Sequence, residues 1–86
     1  MHAVLVAVRI SDVESAQKEL RERVVPTVSQ APGFVAGYWL EPQANMGYSI
    51  VVFDSEDAAR TAADRLEPPS EVKIERVEVR EVVAHA

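Results

Sequence analysis

From Ala3 to Ile10 almost every residue is apolar, with Ala3, Leu5 and Ala7 on one alternating set and Val4, Val6, Val8 and Ile10 on the other. A segment of this kind is a strand covered on both faces. Ser11 followed by Glu14 then reads as a capping box, and Val13, Ala16, Leu20, Val24, Val28 and Ala31 repeat at helical spacing, which predicts a first helix from about Asp12 to Ala31. Its polar side carries Glu14 with Lys18 and Glu19 with Arg23, pairs four apart that suit a solvated helix face. Pro26 interrupts the pattern by removing the donor that would reach Glu22, so a kink is expected there. Pro32-Gly33 ends the helix.

Phe34 to Leu40 and Gly47 to Phe53 are rich in aromatic and β-branched residues, and the polar stretch Glu41 to Met46 joins them as a hairpin. Ser55 is placed to cap a second helix running through Leu66, with Ala58, Ala59, Ala62, Ala63 and Leu66 as its inner stripe. After Pro68-Pro69, the residues Val72, Ile74, Val77, Val79 and Val83 alternate with charged ones in a long last strand. Its phase slips at Arg76-Val77, which predicts a bulge, and its charged side suits a sheet edge.

The order strand, helix, two strands, helix, strand is α+β and ferredoxin-like (βαββαβ): a four-stranded antiparallel sheet with two helices on one face. The chain of 86 residues is expected to form this single domain over residues 1–86. Two helices cover only one face, yet the first and third strands are apolar on both. The open face therefore calls for a partner, and a homodimer is expected.

Composition narrows the chemistry. There is no cysteine, which removes disulfides, thiolate metal sites and cysteine nucleophiles. The apolar start runs into Arg9 and reads as a strand, not a signal peptide, and no stretch is long enough to span a membrane; a cytoplasmic protein is expected. A net charge of −5 without any basic run argues against nucleic acid and anionic membrane surfaces as partners. Met46 to Phe53 does overlap the RNP1 pattern of RNA-recognition domains at Gly47, Tyr48, Val51 and Phe53. It departs at Met46 and Ile50, and the first strand offers no stacking aromatic.

The two histidines, His2 and His85, make too poor a ligand set for a metal site, and no cofactor is expected. Ser11, Ser49 and Ser55 have no base suggested near them, and Ser11 and Ser55 read as helix caps. What remains is a small-molecule pocket between sheet and helices, lined by Tyr38, Trp39 and Tyr48 with Arg9 and Asn45 near its mouth. Strand alternation allows only one of Tyr38 and Trp39 to face the helices.

Val24-Val25-Pro26, Pro32-Gly33-Phe34 leading to Gly37-Tyr38-Trp39, and Val51-Val52-Phe53-Asp54-Ser55-Glu56 entering the second helix carry a family likeness. With the segment order, they make the chain resemble the dimeric α+β barrel superfamily in its antibiotic-biosynthesis-monooxygenase-like branch. The resemblance implies two sheets packed face to face about a two-fold axis, with any ligand between each subunit's sheet and helices. Members include cofactor-independent monooxygenases acting on aromatic polyketides, haem-degrading enzymes, isomerases and proteins without known activity. The haem-degrading members use an asparagine on the first strand, a tryptophan on the third and a histidine iron ligand, none of which this chain has at those places. No motif sets Asn45, Trp39 or Arg9 into the monooxygenase roles, so no catalytic residue is carried over. Three functions follow as expectations: binding of a small apolar or aromatic molecule, cofactor-independent oxidation, or a non-catalytic structural or interaction module.

Overall fold

A computed structural model describes all 86 residues. The elements run β1 (His2–Ile10), α1 (Val13–Glu19), a π-helical turn (Leu20–Val24), α2 (Val25–Ser29), β2 (Phe34–Trp39), β3 (Met46–Phe53), α3 (Glu56–Asp64) and β4 (Val72–Glu81). The strands form one sheet in the order β2-β3-β1-β4 with every neighbouring pair antiparallel, an arrangement consistent with the ferredoxin-like order. The doubly apolar β1 takes a central position, and the charged β4 lies at an edge.

The first helical region differs from its sequence pattern in three places. Asp12, not Ser11, is the cap: its carboxylate accepts from the Ser15 amide at 3.2 Å, while the Ser11 amide and hydroxyl both donate to the Glu71 carbonyl at the start of β4. Both residues of Ser11-Asp12 can cap a helix, and the tertiary contact to β4 decides between them. The second difference is at Pro26, which a π-helical turn precedes. The Val25 amide donates to the Leu20 carbonyl five residues back, so the turn before the proline holds one residue more than an α-helical turn. A wider turn at this point relieves the clash that a proline ring otherwise makes with the carbonyl four residues back. The regular helix ends at Ser29, two residues before Ala31.

Gly33 follows with φ of +81°, a conformation L side chains avoid, and a Cβ there would stand 2.5 Å from Asp54 Oδ1 and 2.8 Å from Ala58 Cβ. Its carbonyl accepts from the Asp54 amide at 2.8 Å, which joins the start of β2 to the end of β3. Ser55 caps α3 as its sequence suggests, accepting from the Ala58 amide at 3.1 Å. The helix stops at Asp64, leaving Leu66 outside it and exposed.

Val4 and Val6 of β1, Val51 and Phe53 of β3 and Ala59 of α3 make up the buried core, with Val28, Ala31, Ala58, Ala62 and Ala63 packed against it from the helical side. Alanines on α3 let the helix approach closely, and Ala59 is completely buried. Phe53, 1% exposed, is the one large side chain wholly removed from solvent, and the ring of Phe34 meets it edge-on at 6.3 Å between centroids. β4 carries its extra residue at Glu75, between Ile74 opposite Val8 and Arg76 opposite Ala7, one position before the predicted slip. A second irregularity sits at Val35 in β2.

Candidate functional site

The register of the sheet sorts the candidate residues by face. Val4 lies opposite Val51, and Val6 opposite Ser49, on the side of the helices. Trp39 pairs with Ser49 and therefore shares that side, whereas Tyr38 pairs with Ile50 and leaves the sheet on the other. Tyr48 pairs with Ala7 and also lies on the open face. Of the three candidate aromatics, only Trp39 lies between sheet and helices, and it is the one of the Tyr38–Trp39 pair that alternation allows there. Its ring lies over Gly37, where a Cβ would come within 2.9 Å of two indole carbons, so the glycine is what lets the ring rest on its own strand.

The open face is divided. Tyr38, Leu40, Tyr48 and Ile50 form its exposed apolar half over β2 and β3, with Leu5 and Ala7 of β1 beside them. Tyr38 is 61% exposed and Tyr48 54%, values that belong to a surface and not to a core. The half over β4 is a strip of alternating charge. Arg76, Glu78 and Arg80 stand opposite Ala7, Leu5 and Ala3, and Glu78 bonds both neighbours, Arg80 at 2.7 Å and Arg76 at 3.0 Å. The hydrogen bond from Arg80, with the positive charge of Arg76 behind it, holds the Glu78 carboxyl below its ordinary range despite some desolvation. On the surface of α3 the Arg60 hydrogen bond and charge do the same for Glu56. Of the two helix pairs the sequence suggests, Glu19 and Arg23 meet at 2.9 Å, and Glu14 with Lys18 forms no ion pair.

Arg9 and Asn45 lie apart from the aromatics, in a recess of about 340 Å³ at the end of β1 and the beginning of β4. Asn45 is the second residue of a two-residue hairpin turn. Gln43 and Met46 exchange both backbone hydrogen bonds, and Ala44 and Asn45 have φ of +52° and +63°. The Asn45 carbonyl accepts from the Ile10 amide at 2.8 Å, which fixes the turn against the end of β1. Arg9 Nε donates to Glu75 at 3.1 Å. The remaining walls are the apolar Ile10 and Val72 with Ser11, Ser70, Glu71 and Lys73, none of which the sequence pattern singles out for a pocket. Register alone reveals the most telling of them, since Lys73 stands directly opposite Arg9.

His2 lies at the other end of β1, with Nε2 4.0 Å from Glu56 Oε1 and Nδ1 buried without a partner. His85 lies in the exposed tail beyond β4. No three histidine, cysteine or acidic side chains are grouped to hold a metal ion. No helix is long and apolar enough to cross a membrane.

Compared with models of protein families, with curated proteins and with solved structures, the chain finds no match in any of the three.

Proposed function

We propose that the chain acts as a homodimeric α+β module in which the open sheet faces of two copies pack together, the arrangement of a dimeric α+β barrel. The observation that carries this reading is the apolar half-face of Tyr38, Leu40, Tyr48 and Ile50, which no element of the chain covers. A second copy suits this face better than an unlike partner because the adjoining β4 strip carries both signs of charge. Two such strips meet under two-fold symmetry without selecting an acidic or a basic partner. Four strands about 4.8 Å apart and seven residues long present roughly 450 Å² in projection per copy, so the pairing needs the whole sheet face, charged strip included, to approach the ~500 Å² per partner at which specific interfaces begin. A cytoplasmic setting accompanies this reading, since a fold without cysteine does not depend on an oxidising compartment.

Light scattering on the eluting protein tests it. A particle of twice the 9.5 kDa subunit is expected, and a monomer at concentrations well above micromolar rejects the proposal.

A second reading rests on Trp39. Half-buried on the helix side beside Phe34, its indole offers a flat apolar wall against which a small apolar or aromatic molecule can stack between sheet and helices. Cofactor-independent oxidation of the antibiotic-biosynthesis type is the enzymatic form of this reading, and it requires a polar group at the same wall. Arg9 and Asn45 belong instead to the separate recess, which favours binding over chemistry. Trp39 is the single tryptophan, so its fluorescence reports directly on ligand entry. A titration with 1-naphthol that leaves the emission unmoved eliminates this second reading.

A further inference from the structure

We propose that the recess where β1 ends and β4 begins is a binding site for a small carboxylic acid bearing a hydroxyl or ammonium group beside its carboxylate. Three independent features converge there. Arg9 and Lys73 are direct cross-strand partners, a like-charge pairing that works against the sheet unless an anion sits between them. Glu75 takes only the Arg9 Nε, and Lys73 has no ion pair, so the terminal guanidinium nitrogens and the ammonium are free to hold a carboxylate.

Glu71 supplies the opposite requirement. Its Oε2 is removed from solvent and has no hydrogen-bond donor, an orphaned acceptor where a donor belongs. Its backbone is fixed meanwhile, because the Glu71 carbonyl accepts from both the amide and the hydroxyl of Ser11. Glu71 and Lys73 are two residues apart, roughly 7 Å along the chain, so a molecule of three or four carbons reaches both. The third feature is the strained turn. Ala44 has a left-handed backbone without being glycine, and this conformation brings Asn45 to the rim of the recess, with Ser70 on the other side.

The ligand's carboxylate lies between Arg9 and Lys73, and its hydroxyl or ammonium donates to Glu71. Arg9 and Lys73 stand at the end of the open face, and none of Tyr38, Leu40, Tyr48 and Ile50 lines the recess, so ligand binding and association are read from different residues.

Amide NMR of the full chain titrated with L-serine and with L-lactate provides the test, with acetate and ethanolamine as probes that each carry half of the recognised pattern. At least one of the two acids is expected to give saturable shifts at Ser11, Asn45 and Ser70, with binding about tenfold tighter than either half-probe. Serine binding more tightly than lactate assigns the ligand as the ammonium-bearing acid; the reverse order assigns the hydroxy acid. Lys73→Gln, at an exposed position that leaves the fold intact, is expected to weaken binding about tenfold without moving the melting temperature. Absence of saturable shifts with both acids overturns the proposal. So does acetate binding as tightly as they do, because the recess is then an unspecific anion patch.

Discussion

Ile50 and Val51 are adjacent in β3 and leave the sheet on opposite sides, so the same charged substitution at each separates the open face from the core. Ile50 is 38% exposed and Val51 8%. The exposed part of Ile50 is roughly 70 Å², and covering it by a second copy contributes about 1.7 kcal/mol at ~25 cal/mol per Å². A two-fold interface contains the residue twice. Ile50→Asp therefore removes about 3.5 kcal/mol from the dimer, a several-hundred-fold rise in Kd, before the desolvation of two carboxylates is added. At Val51 the carboxylate instead enters the cluster of Val4, Phe53 and Ala59. Lost burial and the transfer of a charge together exceed ~4 kcal/mol there, against a total stability of ~4–13 kcal/mol for a domain of this length. Sedimentation equilibrium across a concentration series, with circular dichroism on the same samples, reads both effects. Ile50→Asp is expected to remain folded and become monomeric, and Val51→Asp to lose more than ~4 kcal/mol of stability in denaturant melts followed by circular dichroism. An Ile50→Asp protein that keeps the wild-type association constant refutes the interface, and a Val51→Asp protein as stable as the wild type refutes the assignment of faces.

Other positions test the local backbone and electrostatics. Ala44→Asn puts a residue that tolerates the left-handed region at the first position of the hairpin turn, and an increase of about 1 kcal/mol in denaturation free energy is expected from chemical unfolding. Gly33→Ala meets both the positive φ and the contact with Asp54 Oδ1, so a loss of about 1–3 kcal/mol is expected; an unchanged midpoint contradicts the described geometry of the β2–α3 junction. Glu56 and Glu78 have folded-state pKa values below the ordinary 4.5 because Arg60 and Arg80 bond their ionised forms. A carboxyl lowered on folding contributes stability above its unfolded pKa and loses it as pH falls through the folded value, so acid weakens both contacts below about pH 4.5. Carbon NMR titration of the glutamate carboxyls checks this, and Arg80→Ala is expected to return Glu78 toward its ordinary value.

The elements themselves were legible because their signals are local. Period-two runs of Val and Ile mark β1 and β4, and Ser55 before the alanine stripe marks the start of α3. The phase slip in β4 was visible within one residue, since a bulge shifts the alternation of apolar and charged side chains wherever it falls. Signals that depend on another part of the chain were not legible. Ser11 and Asp12 are equivalent as caps until β4 presents the Glu71 carbonyl to Ser11. The π-helical turn before Pro26 leaves no compositional mark, because Leu20 to Val24 is an ordinary amphipathic sequence. The recess was only half legible. Arg9 and Asn45 stood out as a strand-end cation and a turn residue, but Lys73 and Glu71 gained meaning only from the β1–β4 register, which the position of Glu75 sets.

The two faces of the sheet divide a limited supply of apolar area. On the helix side, close-packed alanines and one fully buried phenylalanine make a thin core, while the larger Tyr38, Tyr48, Leu40 and Ile50 are spent on the open face. A single small domain gains little stability from a core of that size. In the proposed dimer, association through the open face would add burial to this thin core, so folding and dimerisation would be linked equilibria and the measured stability is expected to depend on protomer concentration. The charged strip of β4 then has two physical consequences. At the sheet edge it opposes strand-to-strand aggregation, and on the open face it bounds the apolar half, so that the proposed pairing would be limited in extent and closed by symmetry. An edge strand without those charges would leave the same apolar face free to propagate into larger assemblies.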